Sequence, residues 1–177
     1  THTYSNSQLS IYFNQIQGLF SDERAREALA VGLNMEDILR ASYSDEKYYR
    51  TNHNMMMTHQ HEQWYSDIGK DIYNQNDTEK ARGLLAEAGY EEGEEITIIA
   101  TRDYDDQYNA AVVVQEQLEQ LGMTIHLEIY DWPTLLEKIY DETAYDLFVM
   151  TNFTGSDPTL NDFMLKTLAG SVENPER

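Results

Sequence analysis

From Asp77 to Pro158 the chain alternates between a helical and a strand-like hydrophobic period, and that succession restricts it to one fold class. Asp77 is a good N-cap for a helix whose apolar residues Ala81, Leu84, Leu85 and Ala88 recur at i, i+3, i+4 and i+7 and which Gly89 ends. Ile96 to Thr101 is apolar and β-branched, as a strand requires. The next helix carries Ala111, Val114, Leu118 and Leu121 on one face and Gln115, Glu116, Glu119 and Gln120 on the other, and Gly122 stops it. Thr124 to Ile129 alternates Ile125, Leu127 and Ile129 with His126 and Glu128, so one face is wetter. Asp131-Trp132-Pro133 opens another helix with proline in the first turn, where a missing N–H does no harm. Leu147 to Met150 is a continuous apolar run suited to a central strand.

Three strands joined by two helices form two βαβ units, whose crossovers are right-handed and build a parallel sheet. The class is therefore α/β, with a mixed, mainly parallel sheet flanked by helices. The strands at 96–101, 124–129 and 146–151 are expected to run parallel, with helices on both faces. Before Asp77, Leu9 to Phe13 reads as a short strand, followed by a Ser21-capped helix burying Ala25, Leu29, Gly32 and Leu33, and a second helix from Asn34. Residues 1–8 read as a polar end, and 44–76 as the least regular part. Residues 1–177 make one domain, with no long linker or repeat between parts.

The charge excludes one function class. Asp and Glu number 32 against 12 Lys and Arg, a formal net charge of −20, whereas contact with nucleic-acid phosphates needs a basic face. The bland reading is an acidic, solvated surface that favours solubility. Without cysteine there is no thiol chemistry or disulfide. No apolar stretch is long enough to span a membrane as a helix. Enzyme signatures are missing too: no Gly-x-Ser-x-Gly, no phosphate-cradling glycine loop, and no acids in a partnered pattern. Two glycosylation sequons, at Asn76 and Asn152, read as chance matches.

Ligands of open α/β sheets gather beyond the carboxyl ends of the strands, which selects 102–106, 130–132 and 151–157. Arg102 follows a buried strand and precedes a helix N-terminus, so a guanidinium and free backbone N–H groups can face one anion. Its competing role is a surface pair with Asp103, Asp105 or Asp106. Asp103 and Tyr104 belong to the same loop, and Tyr104, Tyr108, Trp132 and Phe153 can wall a pocket or serve as core. Asp157 can accept hydrogen bonds from an ammonium group, or cap the helix that Pro158 begins. His53, His59 and His61, interleaved with Met55, Met56 and Met57, are the candidates for a copper or nickel site, against the plainer reading that Met fills apolar gaps.

A set of stretches taken in order resembles one family. These are Phe13-Asn14, Arg24 to Leu29, Met35 to Ile38, Asp77 to Tyr90, Asp131-Trp132, Tyr145-Asp146-Leu147 and Asp157-Pro158, with Thr101-x-Asp103-Tyr104 and Tyr108 to Ala111 pointing to one branch. Across nearly the whole chain they are similar to the extracellular solute-binding proteins, family 5, the peptide-binding and in some branches nickel-binding receptors of ABC importers. The resemblance implies one lobe of a type II periplasmic-binding-protein-like fold, specifically most of the second, inserted lobe of a two-lobed receptor that closes by hinge bending. In the family that lobe continues past the Asp-Pro motif, so further C-terminal helices are expected beyond these residues. The intact receptor is expected to carry a signal peptide and a lipid-bearing cysteine.

The implied ligand is a dipeptide or oligopeptide, and the implied partners are the first lobe of the same protein and the importer's membrane permease, with no cofactor. The implied location is extracellular, as a cell-surface lipoprotein, or periplasmic. By the same resemblance Arg102 would hold the peptide carboxylate, and Thr154, Gly155 and Asp157 match a Thr-Gly-Asp segment of dipeptide binders, with residues between that segment and the Asp-Pro pair missing. Alternatives are a nickel or metal-chelate receptor, a ligand-sensing domain of a regulator, and a hydrolase.

Overall fold

The computed structural model describes residues 7–54, 62–141 and 143–153. In chain order the elements are β1 (Ser7–Phe13), α1 (Glu23–Gly32), α2 (Met35–Tyr43), α3 (Thr78–Glu87), β2 (Glu95–Thr101), α4 (Asp105–Gln120), β3 (Thr124–Tyr130), α5 (Trp132–Ile139) and β4 (Leu147–Phe153). Single 3₁₀ turns at Leu19–Ser21, Glu46–Tyr48 and Lys70–Ile72 punctuate the connections. The sheet order is β1-β4-β2-β3. β2 lies parallel to β3 along its length, from Glu95↔Thr124 to Thr101↔Tyr130, and parallel to β4 at Ile98↔Leu147 and Ile99↔Phe148. β1 is antiparallel to β4, from Ser7↔Phe153 to Phe13↔Leu147. The three strands expected to be parallel are parallel, and β1 makes the sheet mixed.

The step from β2 to β3 moves one place outward with α4 on one face, and the step from β3 to β4 returns across β2 with α5 on the other. Reversing both direction and face keeps one hand, as two right-handed crossovers require. On the α4 face, Ala110, Ala111, Val114 and Leu118 cover Ile96, Ile98, Leu147 and Val149, and α1 and α3 extend the same core through Ala25, Ala28, Leu29, Ala81 and Leu85. On the opposite face Leu135 and Ile139 of α5 cover Ile99, Phe148 and Met150. There Phe148 stacks on Tyr12 at 4.8 Å between ring centroids and meets Tyr145 edge-on at 5.3 Å. β4, between β1 and β2, is buried on both faces from Leu147 to Met150, while edge strand β3 leaves His126 exposed.

Two boundaries differ from expectation. Ser21 does not cap α1; it closes the preceding 3₁₀ turn, and its Oγ donates to the Gly18 carbonyl at 2.7 Å. Asp22, with the extended backbone an N-cap needs, accepts from the Arg24 N–H at 2.8 Å instead. β1 also begins earlier, at Ser7, because β4 supplies pairing partners out to Phe153.

Several stretches that carried the family resemblance turn out to be joints. The Asn14 N–H donates to the Asp146 carbonyl at 2.8 Å and its side-chain amide to the Tyr145 carbonyl at 3.1 Å, while its Oδ1 accepts from the N–H groups of Ile16 and Gln17. The Asp146 carboxylate accepts from the Thr97 N–H at 2.8 Å, and the Asp146 N–H donates to the Thr97 carbonyl at 3.0 Å. Gly18, at φ +72°, passes so close that a Cβ there would sit 2.9 Å from Asp146 Oδ1. Arg82 of α3 reaches the last carbonyls of α4, donating to Gln120 and Leu121 at 2.6 and 3.1 Å, where a cation also meets the negative end of the helix dipole.

Burial pushes the Asp146 carboxyl above the ordinary carboxylate range, against the pull of the Thr97 N–H. A carboxyl whose folded pKa is raised holds its proton more tightly in the folded state. Its contribution to stability is complete below the unfolded pKa and is lost as pH rises through the raised value. Urea unfolding of the parent and Asp146→Asn, which keeps an acceptor for Thr97, should therefore show parent-minus-variant stability falling between pH about 3 and about 7. A difference that grows in the parent's favour over that range would contradict the assignment. Gly32, at the end of α1, gives a second test, since a Cβ there would lie 2.7 Å from the Ala81 Cβ and 3.2 Å from Leu121 Cδ1. Gly32→Ala should cost about 1–3 kcal/mol through overpacking between α1 and α3 despite alanine's better helix propensity. Unchanged urea stability would mean that the helices separate freely.

Candidate ligand-binding edge

The carboxyl ends of β2, β3 and β4 share one edge, and the loops after β2 and β3 are sewn together there. The Arg102 N–H extends the sheet by donating to the Tyr130 carbonyl at 2.9 Å, and its guanidinium lies 3.7 Å from Asp131 Oδ2. Those two side chains are 60% and 46% exposed, which makes the pair weak and open to competition by a ligand anion. Arg102 thus has a carboxylate neighbour, but it is Asp131, not Asp103, Asp105 or Asp106: the two loops face each other across the sheet. Asp131 itself caps α5, accepting from the Thr134 N–H at 3.0 Å, and that bonding chiefly, with Arg102 adding to it, holds its carboxyl below the usual range.

Asp103 is committed to structure. Its Oδ2 accepts from the Trp132 N–H at 2.7 Å, and its own N–H donates to Oγ1 of the buried Thr101 at 3.1 Å. Tyr104 then meets the Trp132 ring edge-on at 5.2 Å between centroids. Tyr104 and Tyr108 are 45% and 39% exposed, Trp132 is half-buried, and Phe153 stands out from the end of β4. The aromatic candidates are therefore exposed or half-exposed at this edge rather than core. Helices α1, α2, α3 and α5 are each capped by an Asp or Asn side chain, whereas α4 starts at Tyr104 with no side-chain cap among the described residues. Arg102 precedes the first residue of that helix by three positions.

Behind this loop is a cluster that the sequence did not single out. Asp106, in the first turn of α4, accepts on Oδ2 from Thr151 Oγ1 at 2.9 Å and from the Tyr43 hydroxyl at 3.2 Å. Burial and the Asp106 charge push the Tyr43 phenol up to about 12, so it remains a donor across the working pH range. Tyr43 is 63 positions from Asp106, and no local pattern joins them. His53 has a structural role: its Nε2 bonds to the Ser66 carbonyl at 2.9 Å and its ring packs against Tyr65 and Tyr73. Among the described residues there is no cluster of three or more His, Cys, Asp or Glu able to hold a metal. His59, His61, Thr154, Gly155 and Asp157 lie outside the described residues.

Residues 1–174 match the family described as bacterial extracellular solute-binding proteins, family 5 Middle. The chain belongs to that family. Its members are extracellular or periplasmic solute-binding transport proteins, and it is not a family of enzymes. The chain is 30% identical over 136 residues to the probable peptide ABC transporter periplasmic-binding protein y4tO of Sinorhizobium fredii, covering 73% of this chain and 24% of that protein. It is 28% identical over 153 residues to the oligopeptide-binding protein AppA of Bacillus subtilis, covering 75% and 26%. The chain thus spans about a quarter of the length of these curated relatives. The fold is that of the ABC transporter substrate-binding protein CtaP of Listeria monocytogenes, with a TM-score of 0.80 at 22% identity over 93% of this chain and 33% of that one.

The Asp103 contact is testable. Asp103→Ala removes the acceptor for the Trp132 N–H and should destabilise the start of α5 by about 1 kcal/mol, the usual worth of a cap. In a Trp64→Phe background, Trp132 emission should shift to the red as the ring loosens from Tyr104. Unchanged emission and stability would show that the loops hold together without this bond.

Proposed function

We propose that the chain is the second, inserted lobe of a two-lobed peptide receptor that closes over a di- or oligopeptide and presents it to the permease of an ABC importer. Two curated relatives named for peptide or oligopeptide binding support the ligand class. The observation that carries the reading is local: Arg102 stands next to an α4 N-terminus without a side-chain cap, at the carboxyl edge of β2, with Tyr104, Tyr108 and Trp132 exposed or half-exposed around it. A guanidinium and free helix N–H groups together suit a peptide's terminal carboxylate. The aromatic faces suit its side chains.

In this reading Asp157, with Thr154 and Gly155, takes the peptide's ammonium group, and the first lobe supplies the opposite wall. Closure by hinge bending buries the ligand, and the receptor binds without turning it over. The intact protein works outside the cytoplasmic membrane, as a lipoprotein or in the periplasm. Calorimetry on the full-length receptor tests the carboxylate assignment. Arg102→Ala should cost about 2–5 kcal/mol of peptide binding, as for a desolvated charge pair broken on one side, against under about 1 for an exposed pair. Amidating the peptide's C-terminus should weaken binding to the parent and change little further in Arg102→Ala. Additive losses would remove Arg102 from the site.

A further inference from the structure

β2 and β4 are paired, among the described residues, only at Ile98↔Leu147 and Ile99↔Phe148, yet β4 continues to Phe153. Along Val149 to Phe153 its ladder is with β1 on one side. Toward α4, the end of β4 is tied by the Thr151 hydroxyl on Asp106 Oδ2, the same oxygen that holds Tyr43 at the end of α2. Oδ1 of Asp106 takes no hydrogen bond among the described residues.

We propose that Asp106 is a positioning residue for ligand binding, which by gathering Thr151 and Tyr43 on one carboxylate oxygen sets the separation between the end of β4 and the Arg102–Tyr108 segment. This rests on the peptide-receptor reading, in which the ligand lies between those two sides. The link is stiff at each point. Asp106 sits in a helical first turn, where the helix dipole favours its charge. Thr151 is β-branched and limited at χ1. Tyr43 and Thr151 are both half-buried, and each hydroxyl donates its one proton to the same Asp106 oxygen. Without Asp106, two half-buried hydroxyls lose their shared acceptor and the end of β4 loses its side-chain link to α4. Sites that orient a ligand on two separate elements lose affinity when one element moves by about 1 Å.

The test uses the full-length receptor and a tripeptide that the parent retains from a di- to pentapeptide mixture. Asp106→Ala should weaken binding by about tenfold or more, and Asp106→Asn, whose Oδ1 still accepts from both hydroxyls, by less than about threefold. Thr151→Val should weaken binding, and added to Asp106→Ala should cost less than about twofold more, because both remove one link. Without ligand, amides of residues 149–153 should exchange faster in Asp106→Ala but not in Asp106→Asn, with 147–148 unchanged.

Parent-like binding by Asp106→Ala, additive losses with Thr151→Val, or an Asp106→Asn as impaired as Asp106→Ala would each overturn the proposal. The last of these would make the charge itself the ligand contact. If Asp106→Ala does not fold, the Asn and Val variants decide on the same criteria. A parent that retains no peptide defeats the peptide reading instead, and the exchange measurement then decides alone: unchanged rates at 149–153 in Asp106→Ala overturn the positioning role.

Discussion

The short parallel contact between β2 and β4 is the joint on which the molecule depends. Ile98 and Leu147 face the core under α4, and Ile99 and Phe148 face the core under α5, so four residues at two register positions connect both hydrophobic clusters. So short a ladder fixes little orientation by itself. Side chains bracket it: Asp146 holds the Thr97 N–H at its amino end, and Asp106 holds the Thr151 hydroxyl beyond its carboxyl end. At both ends a carboxylate does the holding, because a charged acceptor makes a stronger hydrogen bond than a neutral one and compensates for missing backbone pairs. The cost appears at Asp146, whose burial disfavours the ionised form.

What was legible in the sequence was whatever depends on neighbours in the chain. The cap at Asp77, the helix starts at Asn34 and Asp131, the helix faces and the apolar run of β4 each follow from a few consecutive residues, and each stands where the pattern put it. Ser21 and Asp22 mark the limit of that method, since both residue types cap helices and only the preceding turn, which engages Ser21, decides between them. The candidate site was legible as a location and illegible as a set of contacts. Arg102 and Asp131 meet because β2 and β3 are neighbours, and Tyr43 meets Asp106 because α2 packs on α4. Such pairings are properties of the assembled sheet and have no period.

The same distinction explains why the fold was easier to place than the ligand. Asn14, Arg82, Asp146 and Asp131 all sit in stretches that carried the resemblance, and all four spend their polar atoms on the chain itself: a strand junction, a helix C-terminus, the start of a ladder, a helix cap. Residues with such duties are set by the architecture whatever is bound. Asp103 belongs with them, since its bond to the Trp132 N–H ties the loop after β2 to the start of α5. Arg102, Tyr104 and Tyr108 keep more than a third of their surface open, and it is on groups of that kind that one receptor can differ from another without refolding.

Charge sets the last constraint on what this edge can do. Arg102 shares it with Asp103, Asp105, Asp106 and Asp131, on a chain whose net charge is −20. A ligand anion arriving from solution is repelled at long range and attracted only at contact, so salt, which screens over about 8–10 Å, should matter to its approach more than to its hold. Three of those carboxylates are bonded to groups of the protein: Asp103 to the Trp132 amide, Asp131 to Thr134, and Asp106 to Tyr43 and Thr151. Each bond fixes where the negative charge lies. The guanidinium is left as the exposed cation of the edge, 3.7 Å from Asp131. In the proposed site, a carboxylate beside the first turn of α4 would meet one exposed cation and a helix start without a side-chain cap, a pairing that lets a strongly acidic surface favour an anion at one place.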